Sequence, residues 1–313
     1  MIESFSILLI ITLLISTISF ISFQKYFISK GHVDINNHRS SHNVVATRSG
    51  GIAILLSIFI VSIYFYLVRT EIYDFSILVP LTLLSLVGLY DDINKLDFKL
   101  KFLFQVVVAK IIIDNGLIID NLHGVFGVYE ISRIVAQLLT IFIIVAIINS
   151  INFIDGIDGL AISIVGLFIV LFEFFSVKTT PFYNFSIILL ISILPLYYFN
   201  FKKKKKIFLG DSGSMFLGGI ISIYVLTILS NIYIIKPEFD IHKIIFVISI
   251  LVYPIVDIIR ISFKRILSGK SPFEADKNHI HHILLNKLKI HSYTTMVLVF
   301  TSLLFTIFTQ LLF

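Results

Sequence analysis

The chain contains no cysteine, and only 14% of its 313 residues are charged. The first absence excludes disulfides and thiolate metal sites, which leaves oxygen and imidazole ligands for any cation. The second accompanies 57% hydrophobic residues and a mean hydropathy of +0.99. Together they exclude an ordinary soluble domain, in which charged residues make up ~25%. An internal repeat, a low-complexity tail and a soluble second domain are also missing, so residues 1–313 read as one polytopic membrane domain. The first apolar run, residues 7–23, lacks the basic flank of a cleavable signal. Glu3 precedes it and Lys25 follows, so it reads as an uncleaved first helix with its N-terminus outside.

What the chain does have is a series of apolar runs. At ~20 residues per span, further candidates fall near 50–68, 76–90, 102–119, 131–150, 159–177, 184–200, 214–234, 243–262 and 292–313. An all-α integral membrane protein of about ten transmembrane helices is expected. The 76–90 run is short, and Lys110 and Asp114 interrupt 102–119. Between Leu117 and Val128 a loose alternation with Gly116, Gly124 and Gly127 predicts a short outer β-hairpin.

The net charge of +6 would suit a nucleic-acid binder, but its distribution points elsewhere. Predicted inner loops 25–49, 89–101, 201–213 and 263–291 hold eighteen Lys and Arg, and the predicted outer loops hold three. By the positive-inside rule such asymmetry places the basic loops on the cytoplasmic side, with both termini outside. Short basic loops separated by spans do not make a nucleic-acid surface. The run Lys202–Lys206 reads most simply as an anchor on the anionic inner leaflet. Arg260, Lys264 and Arg265 read as helix-end anchors.

With this topology every polar cluster falls on the cytoplasmic side. The central one is Asn149-Ser-Ile-Asn152-Phe-Ile-Asp155-Gly-Ile-Asp158-Gly-Leu-Ala161, where an amide or carboxylate recurs every third residue between two apolar runs. Polar groups kept at the end of a span usually mark a site; the bland alternative is a loop of Asx turns. The others are Arg39 to His42 and Thr47 to Gly51, Asp91-Asp92, Gly210-Asp211-Ser-Gly-Ser214, and Asp276 to His282 with His279, His281 and His282. Asp91-Asp92 alone could be a solvated loop end, and the Gly-Asp-Ser-Gly-Ser stretch alone could be a turn.

Carboxylates with Asn and no Cys suit a hard cation, Mg²⁺ or Mn²⁺. A helix beginning near Ser212–Ser214 would favour an anion at its positive end, and His and Arg can take further phosphate oxygens. These parts describe phosphoryl transfer: positioning plus charge neutralisation around a diphosphate. The three histidines could hold zinc, but they lack the i, i+4 spacing of a helical zinc pair.

From Arg39 to His282 the motifs resemble, in order, the polyprenyl-phosphate N-acetylhexosamine-1-phosphate transferases. Asp91-Asp92 matches the paired-aspartate motif, Asn149 to Ala161 the central signature, and Gly210-Asp211 with Ser214 the metal motif. His279-Ile-His281-His282 is similar to the last-loop form of the WecA-like branch, as against the three-histidine run of MraY. The first inner loop keeps His42, Thr47, Arg48, Gly50 and Gly51 but lacks the two prolines usual in the family.

The resemblance implies transfer of N-acetylhexosamine-1-phosphate from a UDP-sugar to polyprenyl phosphate at the cytoplasmic face, releasing UMP and initiating a cell-envelope glycan. It implies Mg²⁺, with Asp211 and Asn152 as metal residues. Asp91, Asp92, Asp155 and Asp158 are implied as catalytic, and Arg48, Asn149, His279, His281 and His282 as substrate-binding. Its partners are the lipid phosphate, the nucleotide sugar and the membrane, with room for a homodimer. Two other readings compete: a MraY-type enzyme, and a carrier, which would place its ionisable groups near the midplane on repeated broken helices.

Overall fold

The computed structural model describes residues 2–34, 46–69, 72–230, 235, 241–269 and 278–312. Arg39, His42 and Asp276 lie outside them. In chain order the elements are α1 (Ile2–Ser29), a two-residue strand β1 (Ala46–Thr47), α2 (Gly50–Leu67), α3 (Leu78–Asn94), α4 (Phe98–Asp114), β2 (Asn121–Val125) and β3 (Val128–Glu130). There follow α5 (Arg133–Ile154), α6 (Leu160–Phe175), α7 (Tyr183–Phe201), β4 (Lys206–Ile207) and α8 (Gly210–Leu229). The chain continues through α9 (Ile241–Ile250), α10 (Val252–Leu267), α11 (Ile280–Leu288) and α12 (His291–Leu312).

The long Ile-, Leu- and Phe-rich runs become helices because hydrocarbon offers no partner for a free backbone N–H or C=O. Hydroxyls inside them turn back on their own helix, as Ser57 does to the Ala53 carbonyl and Thr140 to that of Ala136. The large residues left exposed, such as Phe142 on α5, Phe174 on α6 and Phe263 on α10, are what a lipid-facing exterior requires.

Among the described residues each predicted run overlaps helix, but the count differs. Among the described residues seven helices are long and apolar enough to cross a membrane, or eight if the bent pair α9–α10 is one span. The expected ten are not reached, for physical reasons. α6 has only 16 residues. α4 carries Lys99, Lys101, Lys110 and Asp114. The run at 243–262 is broken: α9 and α10 meet at 75°. Pro254 in the first turn of α10 has no N–H for the carbonyl at position 250. Residues 121–130 form an antiparallel pair, with Asn121 opposite Glu130 and Val125 opposite Val128.

The chain forms two compact units, Met1–Gly116 with Thr179–Ile220, and Leu117–Lys178 with Ile221–Phe313. In the first, α1 packs on α2 and α7, α2 on α3 and α7, and α3 on α4. Phe20 stacks on Phe199 at 5.8 Å, over a core including Ile54, Ile58, Leu81 and Leu84. Pro195 interrupts the hydrogen bonding of α7, and one turn earlier the Ser16 hydroxyl of α1 donates to the Ser192 carbonyl at 2.7 Å. In the second unit α12 packs on α6, α9 and α11, and α5 on α6 and α10. Phe172 stacks on Tyr224 at 4.5 Å, and the His123 ring of β2 reaches the Leu229 carbonyl at 2.8 Å.

Candidate active site

Within the first unit the site is assembled by two very short strands. β1 and β4 run parallel, with Ala46 opposite Lys206 and Thr47 opposite Ile207. The pairing continues past the strands: Phe208 N–H donates to the Thr47 carbonyl at 2.8 Å, Gly50 N–H to Phe208 at 3.0 Å and Gly51 N–H to Leu209 at 2.8 Å. The segment leading into α2 is thereby zipped to the segment leading into α8. Lys206 is buried in this pairing, so the lysine run is not a uniform anchor. Lys202 lies 4.6 Å from the Tyr198 ring, while Lys203, Lys204 and Lys205 are exposed.

Two glycines then let three helices meet backbone to backbone. A Cβ on Gly51 would lie 2.0 Å from Gly213 N, and one on Gly88 would lie 2.3 Å from the Asp211 carbonyl oxygen. No side chain fits at either position. The contact brings together Arg48 before α2, Asp91 and Asp92 on α3, and Asp211 at the start of α8.

The two aspartates of α3 do different work. Asp92 Oδ1 accepts from Asp211 N–H and Oδ2 from Ser212 N–H, both at 3.0 Å. It caps α8 from a different helix and places a negative charge at the positive end of the helix dipole. Its side chain is fully buried, and the Arg48 guanidinium lies 3.7 Å from Oδ1. Arg48 in turn bonds Asp34 at 3.1 Å. Asp91 Oδ1 accepts from Leu96 N–H at 2.6 Å, and Oδ2 takes the Lys101 ammonium at 3.0 Å. The same ammonium donates to Asp211 Oδ2.

Asp91 and Asp211 therefore converge on one point, and a cation, Lys101, stands there. That donor set fits a hard divalent ion: two carboxylate oxygens facing one centre, with the remaining positions left for water and phosphate. Asp92 fits it poorly, because both oxygens are already committed to backbone N–H groups. Asn152 belongs to the second unit.

In the second unit the central signature ends one helix and begins the next. Asn149 and Asn152 sit in the last turns of α5, and Asp155 follows its end. Buried Asn149 donates to the Val145 carbonyl at 2.8 Å. Asp158, also buried, gives its N–H to His291 Nδ1 at 3.2 Å and takes the Thr295 hydroxyl on its carbonyl at 2.9 Å. It thus ties the turn to the start of α12. A Cβ on Gly156 would lie 3.3 Å from both His281 Nε2 and His282 Cε1, so the turn lies directly on the histidines of α11. The Phe153 ring is 5.6 Å from that of His279, and the His279 and His281 rings stack at 5.3 Å.

The histidines are held by α10. His279 Nδ1 bonds Asp257 Oδ2 at 2.6 Å, and His281 Nδ1 bonds the Tyr253 hydroxyl at 2.8 Å. Burial, and then the neighbouring His282 and His279, push the His281 imidazole down to about 3, so it is neutral at physiological pH. Arg260 bonds Asp257 Oδ1 at 3.1 Å, and Arg265 reaches His279 Nε2 at 3.4 Å. Arg260 and buried Arg265 thus belong to this cluster and are not simple interface anchors. Ligand atoms of Asp257, His279 and His281 lie within 4.8 Å of one another, the outline of a metal site. Both Nδ1 atoms are engaged by protein groups, however, and two guanidiniums flank the cluster, which favours an anion.

Sequence reasoning missed Lys101, which sits inside a basic loop count, and Tyr253 and Asp257, which sit inside an apolar run. An ionisable residue in such a run is itself a signal, and Asp257 with Arg260 three positions on could have been read that way.

Residues 74–230 match the profile of glycosyl transferase family 4. Over 288 residues the chain is 32% identical to a probable undecaprenyl-phosphate N-acetylglucosaminyl 1-phosphate transferase of Bacillus subtilis, covering 91% of this chain and 78% of the relative. It is 35% identical over 273 residues to the undecaprenyl-phosphate alpha-N-acetylglucosaminyl 1-phosphate transferase of Pasteurella multocida, covering 82% and 71%. It is 31% identical over 272 residues to the decaprenyl-phosphate N-acetylglucosaminephosphotransferase of Mycobacterium leprae, covering 79% and 68%. On this breadth of match, and with both side-chain clusters built from the motifs that carry it, the chain belongs to glycosyl transferase family 4.

Proposed function

We propose that this protein is a polyprenyl-phosphate N-acetylhexosamine-1-phosphate transferase, with UDP-GlcNAc or a related UDP-HexNAc as donor. The observation that carries this reading is the convergence of Asp91 and Asp211 on one cationic centre at the glycine-packed start of α8, in a family chain whose relatives bear transferase names.

In the reaction an oxygen of the lipid phosphate attacks the sugar-bearing phosphorus of the donor. A new P–O bond forms, the bridge between the two donor phosphates breaks, and UMP leaves with the bridging oxygen. A phosphate monoester has a second pKa of ~6, so near pH 7 the lipid phosphate is mostly dianionic and needs little help from a base. The chain's residues therefore act chiefly by positioning. Asp91 and Asp211 would hold Mg²⁺ or Mn²⁺. Neutralisation of diphosphate charge is what such an ion supplies when bound. Asp92 keeps Asp211 in place by capping α8, and Arg48 lies beside it as a phosphate-binding group. Asp155, Asp158, Asn149 and the three histidines, with Arg260 and Arg265 behind them, suit the nucleotide-sugar diphosphate. The excess of Lys and Arg in one set of loops supports an active site facing the cytoplasm of the inner membrane.

The test is UMP release by purified protein given undecaprenyl phosphate, Mg²⁺ and a panel of UDP-sugars. UMP that requires both lipid phosphate and metal is the expected result, and the productive sugar identifies the donor. UMP from no sugar, with protein of normal melting temperature, would overturn the reading. Asp211→Asn should abolish turnover and leave the fold intact; full activity in that variant would remove Asp211 from the metal site.

A further inference from the structure

α10 begins after a sharp bend, and two of its residues one turn apart each grip one histidine of α11. Tyr253 and Asp257 are spaced i and i+4, so they share a face of the helix. The Tyr253 hydroxyl meets His281 Nδ1 at 2.8 Å, and Asp257 Oδ2 meets His279 Nδ1 at 2.6 Å. The other Asp257 oxygen accepts from Ile280 N–H at 2.8 Å, the first free N–H of α11. His279 is the capping residue of α11, with extended backbone, and has no side-chain cap of its own. Arg260 completes the clamp by bonding both Asp257 and the Asn278 carbonyl.

We propose that Tyr253 and Asp257 are positioning residues of the transferase. They grip the Nδ1 atoms of His281 and His279 and fix the start of α11, so that His279 turns Nε2 to Arg265 and His281 turns Nε2 to the Asp155–Gly156 turn. This rests on the transferase reading above.

The chemistry follows from the acceptors. A carboxylate can only accept at neutral pH, so the His279 proton is held on Nδ1, and Nε2 faces the Arg265 guanidinium at 3.4 Å. His281 Nε2 is fully buried and has no hydrogen-bond partner among the described residues, and it faces the Asp155–Gly156 turn beside Gly156. When the Tyr253 hydroxyl donates to Nδ1, that Nε2 carries a proton, which makes it a donor suited to a phosphoryl oxygen. An orienting partner of this kind fixes tautomer and ring direction, and its loss elsewhere costs about 10–100-fold.

The test is a double-mutant cycle read by UMP release on the full-length protein, with kcat and KM separated. Asp257→Asn preserves size and should lower kcat about 10–100-fold with a melting temperature near that of wild type. Asp257→Asn added to His279→Ala should cost less than about twofold more, because the carboxylate acts through that ring. Tyr253→Phe removes only a hydroxyl and should behave in the same way against His281→Ala. Additive losses in both cycles, or wild-type kcat in both Asp257→Asn and Tyr253→Phe, would overturn the proposal. Should Asp257→Asn lose its fold, the Tyr253 cycle alone decides. No UMP from the unmutated protein would instead refute the transferase reading itself.

Discussion

At the scale of single residues the first cluster is a problem in charge balance. Asp91 and Asp211 face one point, and the Lys101 ammonium occupies it. A like-charged pair that close, left without a cation, is costly inside a packed protein. Lys101→Met should therefore lower the melting temperature in EDTA, and Mg²⁺ should restore more of it than it adds to wild type. Saturation at 100-fold over the dissociation constant is worth about 2.7 kcal/mol, which is ample for a thermal-shift assay. An identical Mg²⁺ response in the two proteins would mean that lysine and metal do not share a place.

His281 gives a second prediction at this scale. Its imidazole is pushed from 6.5 down to about 3, first by burial and then by His282 and His279. Between those values the unfolded chain binds a proton that the folded chain does not. Stability therefore rises with pH through this window and is lost on acidification, by at most about 1.4 kcal/mol per pH unit. Wild-type protein should melt lower at pH 5 than at pH 7, and His281→Gln should flatten that difference. An unchanged slope in the variant would assign the acid sensitivity to other groups.

Between elements the decisive contacts are those no local pattern reports. The apolar runs were legible because lipid leaves helix as the only economical backbone for them, and each became helix close to where the runs lie. The break before α10 was less legible, since it depends on Pro254 falling where a continuous helix would need its N–H. Asp92 was legible as part of a site but not as the cap of α8, because its partners lie more than a hundred residues away along the chain. Of the two glycines behind that cap, Gly51 was visible only as a motif letter. Gly51→Ala should show their function: its Cβ would lie 2.0 Å from Gly213 N, and backbone atoms cannot swing aside. Overpacking typically costs about 1–3 kcal/mol, so a large loss of melting temperature is expected, with activity lost in parallel as Asp211 moves. A melting temperature equal to wild type would show that α2 and α8 can separate without harm.

For the whole molecule the open question is orientation, and the missing cysteines make it answerable. On the proposed topology, in which the 16-residue α6 crosses together with α5 and α7, the Lys202–Lys206 loop faces the cytoplasm and the 117–128 segment the opposite side. Each anionic-leaflet contact is worth only about 1 kcal/mol per lysine, so the run biases orientation and does not by itself hold the protein in the bilayer. The structure offers an exposed reporter in each place: Lys204 in the lysine run and Phe126 at the tip of the β2–β3 hairpin. Neither touches the clusters described above, and the chain has no native cysteine to confuse the labelling. Lys204→Cys should react with an impermeant maleimide only in vesicles that expose the cytoplasmic face. Phe126→Cys should react only in vesicles of the opposite sidedness, and UMP release should stay within about twofold of wild type, as expected for surface changes remote from a site. Labelling of both positions from the same face would leave an even number of crossings between them. The proposed cytoplasmic placement of the two side-chain clusters would then fail.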